Sequence, residues 1–561
     1  MNKLLRFALL SVALVMAFSP GLSVTTAQGT SKVLVAAAAP GDPHSIDPQH
    51  AFDTKDWTLE NILFPALTTL DEETNTVVPG LAKSWDVSPD GLVYTFHLVE
   101  NVPWVRYNAT TKAVEQVKDK DGKPRLVTAQ DVVYGWTRAL DPATGSPAAF
   151  MLAPLIVGGE KFNTGKGSAK DLGLRAVDQF TFEVTSPESV GYALGLYGII
   201  DARPVPQWAI EEGGDAWTEP ENINTYGPFA LKEWVHDDRL TYIKNPFWPG
   251  SKGYSQTKLD ELVIRFLDGN VQIREYEAGN LDVVSIVPGA QFDRLKSDAV
   301  LSKELKVIPG MCTTVWAFHT QKAPFDNVHI RRAFNFAIDR QSLIDNVIKG
   351  GQIPAPWYTP PSVSQAPTLE ANADLGIKFD AQTAKQELAL GLKDLGLASA
   401  DKLPAITVVF GNTELNNSIG QALQIMWQDA LGVKVALNPM DTTTYWSTMA
   451  KDAGQIHAAG WCPDYNDANN YTRDVMRSDS IYNYGRWNSP AFDKLVDDAR
   501  KARDDAQRKA LYVQAEDLMV VKEAAVIPLA WASVASLTKP YVKRTFASNQ
   551  VDSYWKWDIQ K

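Results

Sequence analysis

Cysteine is scarce, with two in 561 residues, Cys312 and Cys462. No cysteine precedes Cys312, which excludes a lipid-carrying cysteine near the N-terminus. Long apolar runs are lacking as well. The most apolar stretch, Phe7 to Phe18, is about a dozen residues, short of the roughly 20 that a membrane-spanning helix needs. No G-x-S-x-G elbow and no cysteine in a catalytic signature is present, so hydrolases built on those nucleophiles are excluded. No G-x-x-x-x-G-K-[ST] loop is present, which excludes that mode of ATP binding. Neither an enzyme nor a cofactor is expected. Positive charge is in deficit, 54 Lys and Arg against 66 Asp and Glu, for a net charge of −12. That field repels phosphate backbones and anionic lipid, so no nucleic-acid or membrane-surface partner is expected. Of the seven histidines, only His44 and His50 are close in sequence. With Asp42 and Asp47 they match no metal-ligand spacing, and no metal site is expected.

What is present begins with a secretory signal over residues 1–27. Lys3 and Arg6 give the positive start, Phe7 to Phe18 the apolar run, and Thr25-Thr26-Ala27 the small residues at a cleavage point. A periplasmic or extracellular protein, exported through a cleaved signal and not a lipoprotein, is expected. Cleavage leaves 534 of 561 residues, more than one core usually supports, so two or three lobes are expected. In an oxidising compartment two cysteines default to a disulfide, with two buried free thiols as the other reading. Seventeen tryptophans are many for this length. Core and lobe-interface packing accounts for most of them, and a cleft lining for a minority.

Short β-rich runs (Val33 to Ala38, Val93 to Leu98, Phe180 to Val184, Leu240 to Ile243, Glu261 to Phe266, Ile406 to Phe410) alternate with helical stretches, which reads as α/β. Asp326 or Asn327 caps a segment with Ile330, Phe334, Ala337, Ile338 and Ile344 on one face. Ser489 and Pro490 open another, with Phe492, Leu495, Val496 and Ala499 in register. Asp119 to Pro124 is a turn and Asn245 to Gly253 a long loop. Ile353 to Pro367, with five prolines, is an extended strap.

A set of motifs runs in order along the chain: Ile46-Asp47-Pro48, Gly80-Leu81-Ala82-Lys83-Ser84-Trp85, Tyr226-Gly227-Pro228-Phe229, Ala278-Gly279-Asn280-Leu281-Asp282, Pro324 to Ala333, and Gly460-Trp461-Cys462-Pro463-Asp464-Tyr465. From Ile46 onward the sequence resembles the periplasmic oligopeptide-binding proteins of ABC importers, solute-binding protein family 5. The resemblance implies a periplasmic-binding-protein-like α/β fold, two hinged lobes with an inserted domain. Lobe I falls at 28–72, 205–311 and 532–561, the extra domain at 73–204 and lobe III at 312–531. It implies a Cys312–Cys462 disulfide, and an extended peptide held between the lobes by main-chain pairing to Phe52, Asp53 and Thr54 on one side and Gly460, Trp461 and Cys462 on the other.

The resemblance places Asp464 as the carboxylate that takes the ligand's ammonium, beside Tyr465. Basic residues that hold a ligand carboxylate in relatives fall here on Ala458 and Met449, with a histidine position near Asn416. A ligand-facing tyrosine falls on Ala148 and a pocket tryptophan on Thr442. Tyr445 and Trp446 lie close enough to reshape the pocket. The partners implied are a peptide, a membrane permease and its ATPase subunits, with the binding protein itself a monomer. An oligosaccharide, or another amine-bearing solute, is the alternative ligand.

Overall fold

All six runs read as β-rich are strands, and with others they assemble into three main sheets. The computed structural model describes residues 31–561 apart from Phe52 and Ile200, and apart from the side chain of Thr442. The signal segment 1–27 lies outside the described residues. Lys32–Lys561 forms one compact unit.

The first sheet has the order Val33–Ala38, Glu261–Phe266, Arg239–Lys244, Phe229–Val235. The outer pair Val33–Ala38 and Glu261–Phe266 is parallel, and the rest is antiparallel. The second sheet, wholly antiparallel, runs Ala82–Val87, Val93–Leu98, Thr181–Thr185, Leu174–Ala176. One core serves both sheets, with Leu34, Phe96, Trp136, Trp248 and Trp555 among its buried members.

The third sheet is built on two long antiparallel strands, Leu305–Phe318 and Val526–Thr538. Ile456–Trp461 pairs with the first of them, and Ile406–Gly411 and Val435–Met440 follow outward. Strand alternation sends successive side chains to opposite faces. Trp316, Phe318, Ile456 and Ala458 enter one core with Phe334 and Trp427. Met311, Val315 and Ala317 enter another with Trp357, Met519 and Trp531. Nine tryptophans are essentially fully buried, so the high count is chiefly core.

The helix after Asn327 is Val328–Phe336, and the Asn327 carboxamide oxygen accepts the Ile330 N–H at 3.1 Å. It stops before the expected face is complete, because the Asp339 side chain caps a second helix, Arg340–Leu343. All five residues of that face are nonetheless buried. Pro490–Lys501 forms as expected, but the Ser489 hydroxyl donates to Glu523 at 2.9 Å and does not cap it.

Cys312 lies in Leu305–Phe318, one residue before Thr313, which pairs with Trp461. This register sets Cys312 opposite Cys462, and the two form a disulfide with Cα atoms 4.2 Å apart. In the chain-entropy account, closing a loop of 150 residues contributes about 4 to 5 kcal/mol.

Candidate ligand-binding site

A cavity of about 470 Å³ is lined by residues from distant parts of the chain, including Thr54, Trp57, Tyr192, Cys312, Asp464 and Arg508. A second, of about 360 Å³, shares Asp464, Tyr465 and Tyr192 with it and adds Trp461, Asp474 and Arg500. A third, of about 180 Å³, lies against Gly460, Trp461 and Trp446. These three cavities surround the strand Ile456–Trp461 and the turn that follows it.

The strand has a half-open edge. Its neighbour Ile406–Gly411 pairs only with Ile456 and His457. Beyond them no described strand lies on that side of Ala458 to Trp461. The Tyr445 hydroxyl donates to the Ala458 carbonyl there. An added methyl at Gly460 would meet nothing nearer than the Thr313 carbonyl oxygen at 3.7 Å, so packing within the protein does not demand glycine. An edge of this kind can accept an added extended chain.

Asp464 follows the edge by three residues and is partly buried. Its one carboxylate contact among the described residues is Asn470, whose Nδ2 donates to Oδ2 at 3.1 Å. No described Lys, Arg or His pairs with it, and burial holds its carboxyl above the usual range. Asp474 is raised by burial too, and accepts from Tyr465 at 2.6 Å and Asn469 at 3.0 Å. None of the arginines at the same cavity pairs with Asp464: Arg473 bonds Asp497 at 2.9 Å with Asp474 3.9 Å away, Arg477 pairs with Asp479 and with Asp497 at 3.1 Å, and Arg500 pairs with Glu188. A poorly compensated carboxylate in a cavity is a place for a cation.

The helix Ala468–Met476 supplies Asn469, Asn470 and Asp474. Asp467 caps it, accepting from the Asn469 N–H at 2.9 Å, and is gripped by Arg508 through bonds of 2.7 and 2.6 Å. Asn470 Oδ1 also accepts from Trp461 Nε1 at 2.8 Å, which ties the end of the strand to the helix. Tyr465 stacks on Tyr192 with ring centres 5.1 Å apart, fixing it between segments far apart in sequence.

The remaining expected residues divide. Gly460 and Trp461 border the third cavity and Cys462 the first. Phe52 lies outside the described residues. Asp53 and Thr54 do not form an extended strand: Asp53 is the N-cap of the helix Thr54–Asn61, accepting from the Asp56 N–H at 3.0 Å. Thr54 lines the first cavity as that helix's opening residue. Trp446 is 51% exposed beside the third cavity, whereas Tyr445 is buried and borders none of the three. Asp42 bonds His236, Asp47 bonds Arg138 with His50 3.9 Å away, and His44 meets Asp53 and Asp56, their donor atoms within 4.8 Å of one another, a set that could hold a cation. Sequence reasoning missed Asn469, Asn470, Asp474 and Tyr192. The buried polar pair just after an Asp cap was the available signal for the first two.

Residues 76–483 match the family described as bacterial extracellular solute-binding proteins, family 5 middle. The periplasmic oligopeptide-binding protein OppA of Salmonella typhimurium is 33% identical over 515 residues, covering 91% of this chain and 89% of that protein. The probable deoxycholate-binding periplasmic protein YgiS of Escherichia coli is 31% identical over 505 residues, covering 89% and 88%. The solved structure of MppA, a periplasmic murein tripeptide binding protein in its unliganded open form, superposes with a TM-score of 0.79 at 26% identity, covering 94% of this chain and 98% of that one. The expected periplasmic-binding-protein-like α/β architecture is therefore the fold found. Among the described residues no helix is long and apolar enough to cross a membrane. The chain belongs to the bacterial extracellular solute-binding proteins of family 5.

Proposed function

We propose that this protein captures peptides in extended form and delivers them to a membrane permease driven by ATPase subunits. The observation that carries the reading is Asp464, a partly buried carboxylate without a cation, set three residues beyond the half-open edge at Ala458 to Trp461. The edge offers main-chain hydrogen bonds that any sequence can make, and the carboxylate offers a partner for an α-ammonium. The names of the Salmonella relative and of the murein tripeptide binder support the same ligand class. In this reading 28–72 with 205–311 and 532–561 forms one lobe, 312–531 the other and 73–204 an inserted domain, and the lobes close on the ligand. Export through cleavage after residue 27, a freely soluble monomer and the absence of catalysis belong to the same proposal.

A second reading, an amphipathic steroid, is favoured by the 31% identical relative named for deoxycholate and by the aromatic lining of the third cavity. It leaves Asp464 without a cation. The deciding experiment is mass spectrometry, with fragmentation, of whatever denaturation releases from the purified protein, followed by calorimetric titration with peptides and with deoxycholate. Released peptides with free amino ends, and tighter binding of free than of N-acetylated peptides, support the proposal. Steroid masses, or deoxycholate binding with no peptide binding, overturn it.

A further inference from the structure

The cavity of about 180 Å³ at the Gly460 edge is built without formal charge. Val315, Ala317, His457, Ala459 and Trp461 all line it. Ala317 pairs with His457 and Val315 with Ala459, so these side chains share one face of the sheet. No Asp, Glu, Lys or Arg is in the lining. Its titratable side chains are His457 and tyrosines, and burial pushes the His457 imidazole down to about 3, which leaves it neutral in the physiological range. The far wall is aromatic: Trp461 and Tyr482 have ring centres 5.1 Å apart, and Trp446 and Tyr484 have theirs 6.5 Å apart. Trp446, 51% exposed, stands at the mouth side of this lining.

We infer that this cavity is a specificity pocket for one large apolar side chain, aromatic by preference, on a peptide paired to the Ala458 to Trp461 edge. The inference rests on the peptide reading above. A strand added at that edge turns alternate side chains toward this face of the sheet. A dry cavity of about 150 Å³ lined by aliphatic and aromatic residues holds a benzene molecule, so the volume here suits a phenyl or indole group. A charged side chain would be stripped of water with no counter-ion to meet it. Alanine would leave the space unfilled.

The test is calorimetric titration of the full chain with tetra- and hexapeptides of free amino end. Each has an alanine host in which every position in turn is Phe, Ala, Glu or Lys. At one position, at a fixed distance from the amino end, Phe should bind about tenfold or more tighter than Ala, and Glu and Lys weaker than either. Trp446→Ala, which removes an exposed side chain, and Ala459→Leu, which narrows the cavity, should each lower the Phe-to-Ala ratio at that position and at no other. Peptides that bind with no such position, or a position that accepts Glu as well as Phe, would overturn the pocket and leave the peptide reading standing. Failure of every peptide to bind would remove both.

Discussion

Asn470 holds Asp464 with both ends of its amide: Nδ2 donates to the carboxylate at 3.1 Å, and Oδ1 accepts the Asp464 backbone N–H at 3.0 Å. The carboxylate is thus fixed in place while its charge stays uncompensated. Asp464→Asn should weaken binding of free-amine peptides by about 30-fold or more, the scale of losing one partner of a buried charge pair. Thermal unfolding of the ligand-free variant at neutral pH should be unchanged or shifted upward, because an unpaired buried charge is gone. Calorimetry and a melting curve check both, and unchanged affinity would remove Asp464 from the site.

Acidity should act on binding through the same group. Burial raises the Asp464 carboxyl above the usual range, which shifts the free protein's balance toward the neutral acid, whereas an arriving ammonium favours the ionised form. Affinity for free-amine peptides should therefore be full above that raised pKa and fall as pH drops through it, starting above the ordinary carboxylate range. N-acetylated peptides should lack this fall. A pH series of titrations with both ligands reads the difference.

Stability has the opposite sign. A carboxyl raised on folding disfavours the folded state as pH climbs from the unfolded pKa through the folded one. The ligand-free protein should accordingly lose a component of stability over that window, and Asp464→Asn should lose less. Chemical unfolding of both proteins at mildly acid and neutral pH measures it.

Reduction of Cys312–Cys462, or the Cys312→Ser, Cys462→Ser double variant, should lower unfolding free energy by up to about 5 kcal/mol. The bond joins neighbouring strands just before Asp464, so peptide affinity should fall as well. Denaturant unfolding with and without reductant, paired with titration, tests the two effects.

Arg508 and Asp467 are both buried and bonded through two N–H···O contacts. Arg508→Ala strands a carboxylate at the cap of Ala468–Met476 and should cost about 3 to 5 kcal/mol. Arg508→Lys keeps the charge but not the fork and should fall between. Melting curves order the three proteins.

Much of this was legible in the chain. Repeating apolar positions gave the strands at Val33, Val93 and Ile406, and Asn327 announced its helix because a capping oxygen is a local device. The ordered motifs led to Asp464 and to the disulfide. Other parts depend on tertiary choices that the linear pattern does not carry. Asp53 was read only as a main-chain partner for the ligand, and its capping of the helix Thr54–Asn61 through the Asp56 N–H was not read. Tyr445 and Trp446 are adjacent, yet a helix turns each residue about 100° from the last, so one packs inward and the other faces solvent. Asp474 reaches the site from a helix that folds back beneath Asp464. His44 meets Asp53 and Asp56 through the turn of the chain, with no spacing to announce it.

The parallel pairing of Val33–Ala38 with Glu261–Phe266 also constrains the order in which the molecule is assembled. Phe229–Val235, Arg239–Lys244 and Glu261–Phe266 are near neighbours in sequence and can zip together as a local meander. The first strand meets its partner only across a separation of 228 residues, as the adjoining bond between Lys32 and Asp260 shows. Closing so long a loop is entropically costly and non-local pairings form slowly. Loop closure thus disfavours early joining by the first strand of this sheet to be synthesised, and without it the Glu261–Phe266 edge is open to any other extended chain.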